Sequence, residues 1–198
     1  MSLIEEIRTR QNITKDQLVH LLTTEDESLL TRLKITARAV ADSVYGNQIF
    51  IRGLIEFTNY CKNDCYYCGI RRSNTRSDRY RLTEDQILSC CQNGYELGFR
   101  TFVLQGGEDP WYSDDKICAV VSRIRSSYPD CAVTLSIGEK SEESYQRFFD
   151  AGADRYLLRH ETADETHYRK LHPAEMSLSH RKNCLKTLKR IGYQTGCG

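Results

Sequence analysis

The chain has 198 residues, with 28 Lys and Arg against 27 Asp and Glu, a formal net charge of +1. That balance leaves no electrostatic footprint for nucleic acid or an anionic membrane surface. A hydrophobic content of 39% is enough for a packed core, and no apolar run has the length of a secretion signal or a membrane span, so the sequence reads as cytoplasmic.

In chain order, the first 45 or so residues read as helical. Thr14 and Gln17 have the spacing of a capping box, followed by Leu18, Leu21 and Leu22 on one face. A second helix is expected from Asp26 to Tyr45, with Leu29, Leu30, Leu33, Ala37, Val40 and Val44 at helical spacing and Gly46-Asn47 as its stop. From there strands and helices alternate. Strands are expected at Ile49 to Thr58, Thr101 to Gln105, Ala132 to Ser136, Arg155 to Arg159 and from Tyr193 onward. Helices are expected at Glu84 to Leu97, from Ser113 to Ser127, at Glu142 to Ala151 and over Ser179 to Ile191. This alternation predicts an α/β fold of parallel strands with helices on the outer face, a partial (β/α) barrel of the TIM type. Residues 1–46 would be a helical extension and 47–198 the barrel.

A full eight-stranded barrel takes roughly 250 residues, and about four and a half βα units fit here. The sequence is therefore expected to be an incomplete barrel, truncated at its C-terminal end, whose open edges and uncovered interior would favour oligomers or poor solubility. A natural half-barrel that dimerises is the alternative.

Nine cysteines in a chain without a secretion signal suggest metal ligands and reduced thiols, not disulfides. Three of them, Cys61, Cys65 and Cys68, are spaced C-x3-C-x2-C just after the first expected strand. Three thiolates on one loop can hold three irons of a 4Fe–4S cluster and leave the fourth without a protein ligand, whereas clusters that only transfer electrons normally take four cysteines. An open iron invites a chelating small molecule. Structural zinc, completed by Cys90, Cys91 or a histidine, is the competing reading, but such sites usually come from paired short motifs, and no second C-x2-C occurs. Cys90, Cys91, Cys118, Cys131 and Cys184 are expected to be buried, inert thiols, with Cys197 in the last strand. Trp111-Tyr112 is a candidate lid over the rim.

The polar segments that follow strands fall at one end of such a sheet, where β/α barrels place their active sites. They are the cysteine loop, Gly106-Gly107-Glu108-Asp109, Gly138-Glu139 and His160-Glu161-Thr162. Glycines at 106 and 107 would let the backbone approach a ligand closely.

The cysteine loop, with the aromatic Tyr67 before its third cysteine, resembles the signature of the radical S-adenosylmethionine (SAM) superfamily. The stretches Ile55-Glu-Phe-Thr-Asn59, Cys65-Tyr-Tyr-Cys-Gly-Ile-Arg-Arg72, Val103-Leu-Gln-Gly-Gly-Glu-Asp-Pro110, Val133-Thr-Leu-Ser-Ile-Gly-Glu139 and Ala153-Asp-Arg-Tyr-Leu-Leu-Arg-His-Glu-Thr-Ala163 are most similar to the HydE family of FeFe-hydrogenase maturases. Methylornithine synthase and biotin synthase are more distant over the later stretches. The resemblance implies a 4Fe–4S cluster on Cys61, Cys65 and Cys68, with SAM chelating the open iron and cleaved reductively to a 5′-deoxyadenosyl radical. It implies SAM contacts from Tyr67, Gly106, Gly107, Glu108, Ser136, Glu161 and Arg181, and substrate contacts from Thr134 and Arg159. No catalytic residue beyond the cluster and cofactor is implied. The substrate would be a small molecule or an iron synthon bearing cysteine, with transient contact to other hydrogenase maturases and an electron donor. A related radical SAM activity, or an inactive cluster-binding fragment, is the alternative.

Overall fold

The computed structural model describes residues 2–198 and divides into two compact units, the first ending at Phe50 and the second running Ile51–Gly198. The first unit is three helices, α1 (Leu3–Arg10), α2 (Lys15–Thr23) and α3 (Glu27–Tyr45). The capping box of α2 is formed as expected: Gln17 N–H donates to Thr14 Oγ1 at 3.2 Å, and Thr14 N–H donates to Gln17 Oε1 at 2.9 Å. Asp26 caps α3 through Ser28 and Leu29 N–H, and Gly46 ends it at φ +58°, where a side chain is strained. No residue of α2 or α3 is buried: along the expected core face Leu29, Leu30 and Leu33 are half-buried, while Val40 and Val44 are exposed.

The second unit is a five-stranded parallel sheet in sequential order. Its elements are β1 (Gly53–Thr58), α4 (Glu84–Glu96), β2 (Thr101–Gly106), α5 (Asp114–Ser127), β3 (Ala132–Ser136), α6 (Glu142–Asp150), β4 (Arg155–Leu157), α7 (Glu165–Leu171), α8 (Leu178–Ile191) and β5 (Gln194–Gly196). Sequential parallel order with a helix between strands is the topology expected from the alternation. The matched boundaries have visible local causes. Thr83 and Gln86 form a capping box at α4, Ser113 and Ser141 cap α5 and α6, and Gly98 takes φ +91° after α4.

Along each strand side chains alternate between faces. Ile55, Phe57, Phe102, Leu104, Val133, Leu135 and Tyr156 form a buried layer with Ile87 of α4, Val121 and Ile124 of α5, Tyr145 and Phe148 of α6 and Leu188 of α8. The opposite face carries Glu56, Gln105, Thr134 and Ser136, and on it Leu54 is exposed. Burial thus sits between sheet and helices, and the polar face is left for a site.

Three details differ from the sequence reading. β1 begins at Gly53, and Ile51, although apolar, is exposed because no strand pairs with it. The segment before α8 contains a separate short helix, α7, started by Asp164, whose carboxylate accepts from His167 N–H at 2.7 Å. Trp111-Tyr112 is no lid. Tyr112 is buried, its ring edge-on to Phe57 at 4.6 Å and its hydroxyl bonded to the Leu82 carbonyl, while Trp111 lies under the Lys116 ammonium. A phenol needs a buried partner more than a rim does, and the Leu82 carbonyl supplies one.

Candidate cluster and cofactor site

The site is built on the carboxyl ends of β1 to β4. Cys61, Cys65 and Cys68 are half-buried free thiols on the loop after β1. Arg79 closes that loop: its guanidinium donates to the carbonyls of Ile70 at 3.0 Å, Arg71 at 2.8 Å, Asn74 at 3.0 Å and also Asn59. One side chain thereby satisfies four carbonyls of a segment without regular structure, a cost otherwise left to water.

Two further elements hold the loop against the sheet. Lys62 N–H donates to the Glu108 carbonyl at 2.9 Å, and Tyr66 N–H donates to the Leu171 carbonyl at the end of α7 at 2.9 Å. The glycines expected to face a ligand also serve the loop itself. A Cβ on Gly106 would come 2.7 Å from Thr58 Cγ2, and one on Gly107 would come 2.7 Å from Cys61 Cβ and closer still to the Tyr60 carbonyl. Their small size is demanded first by protein packing and only then by space in the cleft.

Asp109 anchors the same turn. Its carboxylate takes two bonds from Arg81, Nε to Oδ2 at 2.6 Å and Nη2 to Oδ1 at 2.9 Å. Thr58 Oγ1 adds a third at 2.8 Å and Trp111 N–H a fourth at 3.1 Å. Burial by itself would raise this carboxyl, but Arg81, the Trp111 amide and Thr58 outweigh it and hold it below the usual carboxylate range. Arg81 also lies over the Tyr60 ring at 3.8 Å.

The resulting cleft has a volume of about 280 Å³, near the lower end for small-molecule sites, roughly 300 Å³. It is lined by Cys61, Cys65, Cys68, Tyr67, Gly106, Gly107, Glu108, Ser136, Arg159, Glu161 and Arg181. Residues separated by up to 120 positions are thus brought to one rim by the sheet. Thr134 does not line it. It sits on the same face as Ser136 but nearer the amino end of β3, buried, with Oγ1 lacking a hydrogen-bond partner. Cys90 is exposed and Cys118 half-buried, against the expectation of burial, whereas Cys91, Cys131 and Cys184 are buried.

Charge in the cleft is arranged in pairs. The Glu108 carboxylate accepts from Glu139 N–H at 3.0 Å through Oε1. Its Oε2 faces Lys62 Nζ at 3.1 Å as an ion pair, outside hydrogen-bond alignment. Buried Arg181 touches Glu139 at 2.7 Å, Nε to Oε1, again without hydrogen-bond alignment. Burial opposes the Arg181 charge, but Glu139, Tyr168 and Glu108 outweigh it and secure the proton. Burial also raises the Glu139 carboxyl. Glu108 Oε2 and Arg181 Nε are therefore an acceptor and a donor, both buried at the cleft, with hydrogen-bonding capacity unspent.

Among the thiols, burial first, then the charges of Cys61 and Cys68, pushes Cys65 up to about 11; Cys61 is raised by burial as well. Such thiols stay protonated near neutral pH until a cation binds. Among the described residues, no three His, Cys, Asp or Glu side chains are placed to hold a single metal ion. A 4Fe–4S cluster spreads its three ligands over three irons and does not require that convergence.

Three residues of the site, His172, Tyr168 and Glu139, had no role in the sequence reading. Tyr67 Oη lies 3.3 Å from Glu161 Oε1 and 3.4 Å from His172 Nε2, and buried His172 stacks on Tyr168 with ring centroids 3.9 Å apart. His172 and Tyr168 come to the cysteine loop through α7, which the spacing did not reveal. Glu139 stood in a quoted stretch without a role.

A half-open β/α sheet with a three-cysteine loop and buried, unspent polar groups at its carboxyl rim defines a cluster-and-cofactor enzyme core. Residues 55–197 match the Radical SAM superfamily. The chain belongs to that superfamily, whose members use a 4Fe–4S cluster and SAM. It is 42% identical over 96% of its length to the [FeFe] hydrogenase maturase subunit HydE of Thermotoga maritima, and 31% identical over 97% to 3-methylornithine synthase of Methanosarcina barkeri. The crystal structure of a methylornithine synthase covers all of this chain with a TM-score of 0.87 at 31% identity, and that of the maturase HydG covers 99% with 0.88 at 28%. The chain spans about half the length of the curated relatives it matches, 53% of HydE and 55% of the methylornithine synthase. The three half-buried thiols and the unspent atoms of Glu108 and Arg181 fit a cluster with a small zwitterionic ligand beside it. Among the described residues, no helix is long and apolar enough to cross a membrane.

Proposed function

We propose that this chain is the cluster- and cofactor-binding portion of a HydE-type FeFe-hydrogenase maturase. The observation that carries the reading is 42% identity to HydE over 96% of the chain, against 31% to methylornithine synthase over a similar length. When bound, the cluster and SAM supply reductive carbon–sulfur cleavage and a 5′-deoxyadenosyl radical.

This chain's residues supply position and electrostatics. Cys61, Cys65 and Cys68 hold the cluster, each giving up its proton. Glu108 accepts from the cofactor's amino group through its unspent Oε2, with the glycines at 106 and 107 keeping the turn against the loop. Arg181 would pair with the cofactor's carboxylate, its Nε having no aligned partner in the protein. Ser136, Tyr67 and Glu161 line the remaining polar wall. Arg159 is exposed at the mouth and has no hydrogen bond among the described residues, so its fork is free for a substrate carboxylate. Thr134, deeper on the same face, carries an unpaired hydroxyl that suits the same substrate. The substrate class we infer is a small molecule or iron synthon bearing cysteine, with other hydrogenase maturases and an electron donor as transient partners. The free thiols suit a reducing, cytoplasmic setting.

The test is anaerobic reconstitution followed by an assay for 5′-deoxyadenosine. Wild type should bind about four irons per chain and cleave SAM, and Cys65→Ala should lose both. Restored di-iron assembly in a maturation extract is the positive outcome for the HydE role. The second reading is methylornithine synthesis, favoured by the fold match over the whole chain; conversion of lysine to methylornithine would decide for it.

A further inference from the structure

We infer that His172 is a positioning residue: it takes the single proton of the Tyr67 hydroxyl, so that the Glu161 carboxylate is left free for a donor group of the bound cofactor. This inference rests on the cofactor reading of the cleft for its last clause, while the assignment of the proton stands on geometry alone.

The proton's place follows from a count of donors. His172 Nδ1 lies 3.0 Å from the Tyr168 carbonyl oxygen, which can only accept, so Nδ1 carries a hydrogen. A neutral imidazole then presents a bare lone pair at Nε2, and burial, the largest influence on this ring, favours the neutral form. Nε2 is 3.4 Å from Tyr67 Oη, and on the other side Glu161 Oε1 is 3.3 Å away. The hydroxyl has one hydrogen and faces two acceptors. Both distances exceed the roughly 2.8 Å of a settled bond, as expected of a group standing between competitors.

Burial decides the competition. His172 is 3% exposed, and Nε2 has Tyr67 as its only hydrogen-bonding neighbour among the described residues. Glu161 is exposed and can turn to water or to a ligand. A buried acceptor left unpaired costs the whole desolvation of that atom, while an exposed carboxylate loses little. The hydroxyl therefore donates to His172. Glu161, held at φ +64°, where a side chain is rare, is fixed beside the cleft, and with the Tyr67 hydroxyl turned to His172 its carboxylate has no other hydrogen bond from the described residues.

Removing the imidazole acceptor reverses the outcome. With His172→Phe, an aromatic ring that can keep the stack on Tyr168, the Tyr67 proton has only Glu161 to go to, and the hydroxyl competes with the cofactor. SAM dissociation constants, measured by equilibrium dialysis on the reconstituted chain, should rise about tenfold. In a Tyr67→Phe background the hydroxyl is gone and His172 has nothing to accept, so adding His172→Phe should leave affinity within about threefold of Tyr67→Phe alone. A merely structural role for His172 predicts the same tenfold loss in both backgrounds, and that result, or unchanged affinity in His172→Phe alone, overturns the inference. Nitrogen-15 NMR of the ring, recorded on the chain before cluster reconstitution, gives a readout independent of cofactor. A protonated Nδ1 with an unprotonated Nε2 supports the assignment, and the opposite tautomer defeats it. Glu161→Gln separates the two levels: unchanged SAM affinity there would refute the cofactor role of Glu161 while leaving the tautomer result intact.

Discussion

A Cβ on Gly107 would stand 2.7 Å from the Cβ of Cys61, so the turn after β2 and the cysteine loop touch with no room for a methyl group. Even Ala must push the Tyr60–Cys61 backbone away. Overpacking of this kind costs about 1–3 kcal/mol, and the displaced atoms belong to Cys61, the first of the three proposed cluster ligands. Gly107→Ala is expected to lower the melting temperature and the iron bound after reconstitution together. Gly69, whose Cβ would meet nothing within 4 Å, is the control: Gly69→Ala should retain iron.

The Asp109–Arg81 pair predicts an acid-sensitive anchor. The Asp109 side chain is 1% exposed and carries four hydrogen bonds, so Asp109→Ala leaves Arg81 without its partner. Arg81 itself is exposed, so the cost is that of losing hydrogen bonds to a buried charged group, about 2 kcal/mol, to be read from urea unfolding. The folded-state pKa lies below the ordinary 3.8, so the contribution is complete above that value and lost as pH falls through the folded one. The stability gap between wild type and Asp109→Asn should therefore hold constant above about pH 4 and narrow below it. A gap unchanged down to pH 2 would mean that the carboxylate charge contributes nothing.

Much of this arrangement was legible in the sequence because its causes are local. Thr14-Gln17 announces its helix by cap chemistry, and short apolar runs, each followed by a polar, glycine-containing segment, announce β2 and β3 to within a residue. The cysteine loop was legible because its three proposed cluster ligands lie within eight positions. What the sequence hid depends on contacts made at a distance. His172 meets Tyr67 only because α7 folds back onto the cysteine loop, and Arg79 is recognisable as a loop clamp only once four carbonyls surround it. The glycines at 106 and 107 were read for a ligand, whereas the nearest obstacle is the chain itself. α3 shows the converse limit: its spacing declares an apolar face, yet spacing cannot say what covers it.

The sheet leaves β1 and β5 with one neighbour each among the described residues, and Ile51 and Leu54 are exposed beside or on β1. Unpaired edges with exposed apolar side chains favour self-association. The 198-residue chain is expected to show concentration-dependent oligomers in light scattering. Burial of one leucine is worth about 2 kcal/mol, so Leu54→Lys should weaken that association by about thirtyfold. A monomer at every concentration would remove the premise.

Cluster uptake should depend on pH through Cys65. Its thiol is pushed up to about 11 by burial and then by Cys61 and Cys68, against an ordinary value of 9.0. Because the folded state holds this proton more tightly than the unfolded one, the thiol's contribution to cluster-free stability is complete below about pH 9. It is lost as pH rises through 9 toward 11. Iron acts in the opposite sense, since each ligand must surrender its proton to bind. Apparent iron affinity during anaerobic reconstitution should rise steadily from pH 7 to 9, with proton release detectable in weakly buffered solution. Cys65→Ser, an alcohol that does not ionise in this range, should bind less iron and flatten the rise, while its cluster-free form should resist alkaline unfolding better than wild type. If wild type and Cys65→Ser gave the same alkaline unfolding curve, the thiol's raised pKa would not be coupled to folding.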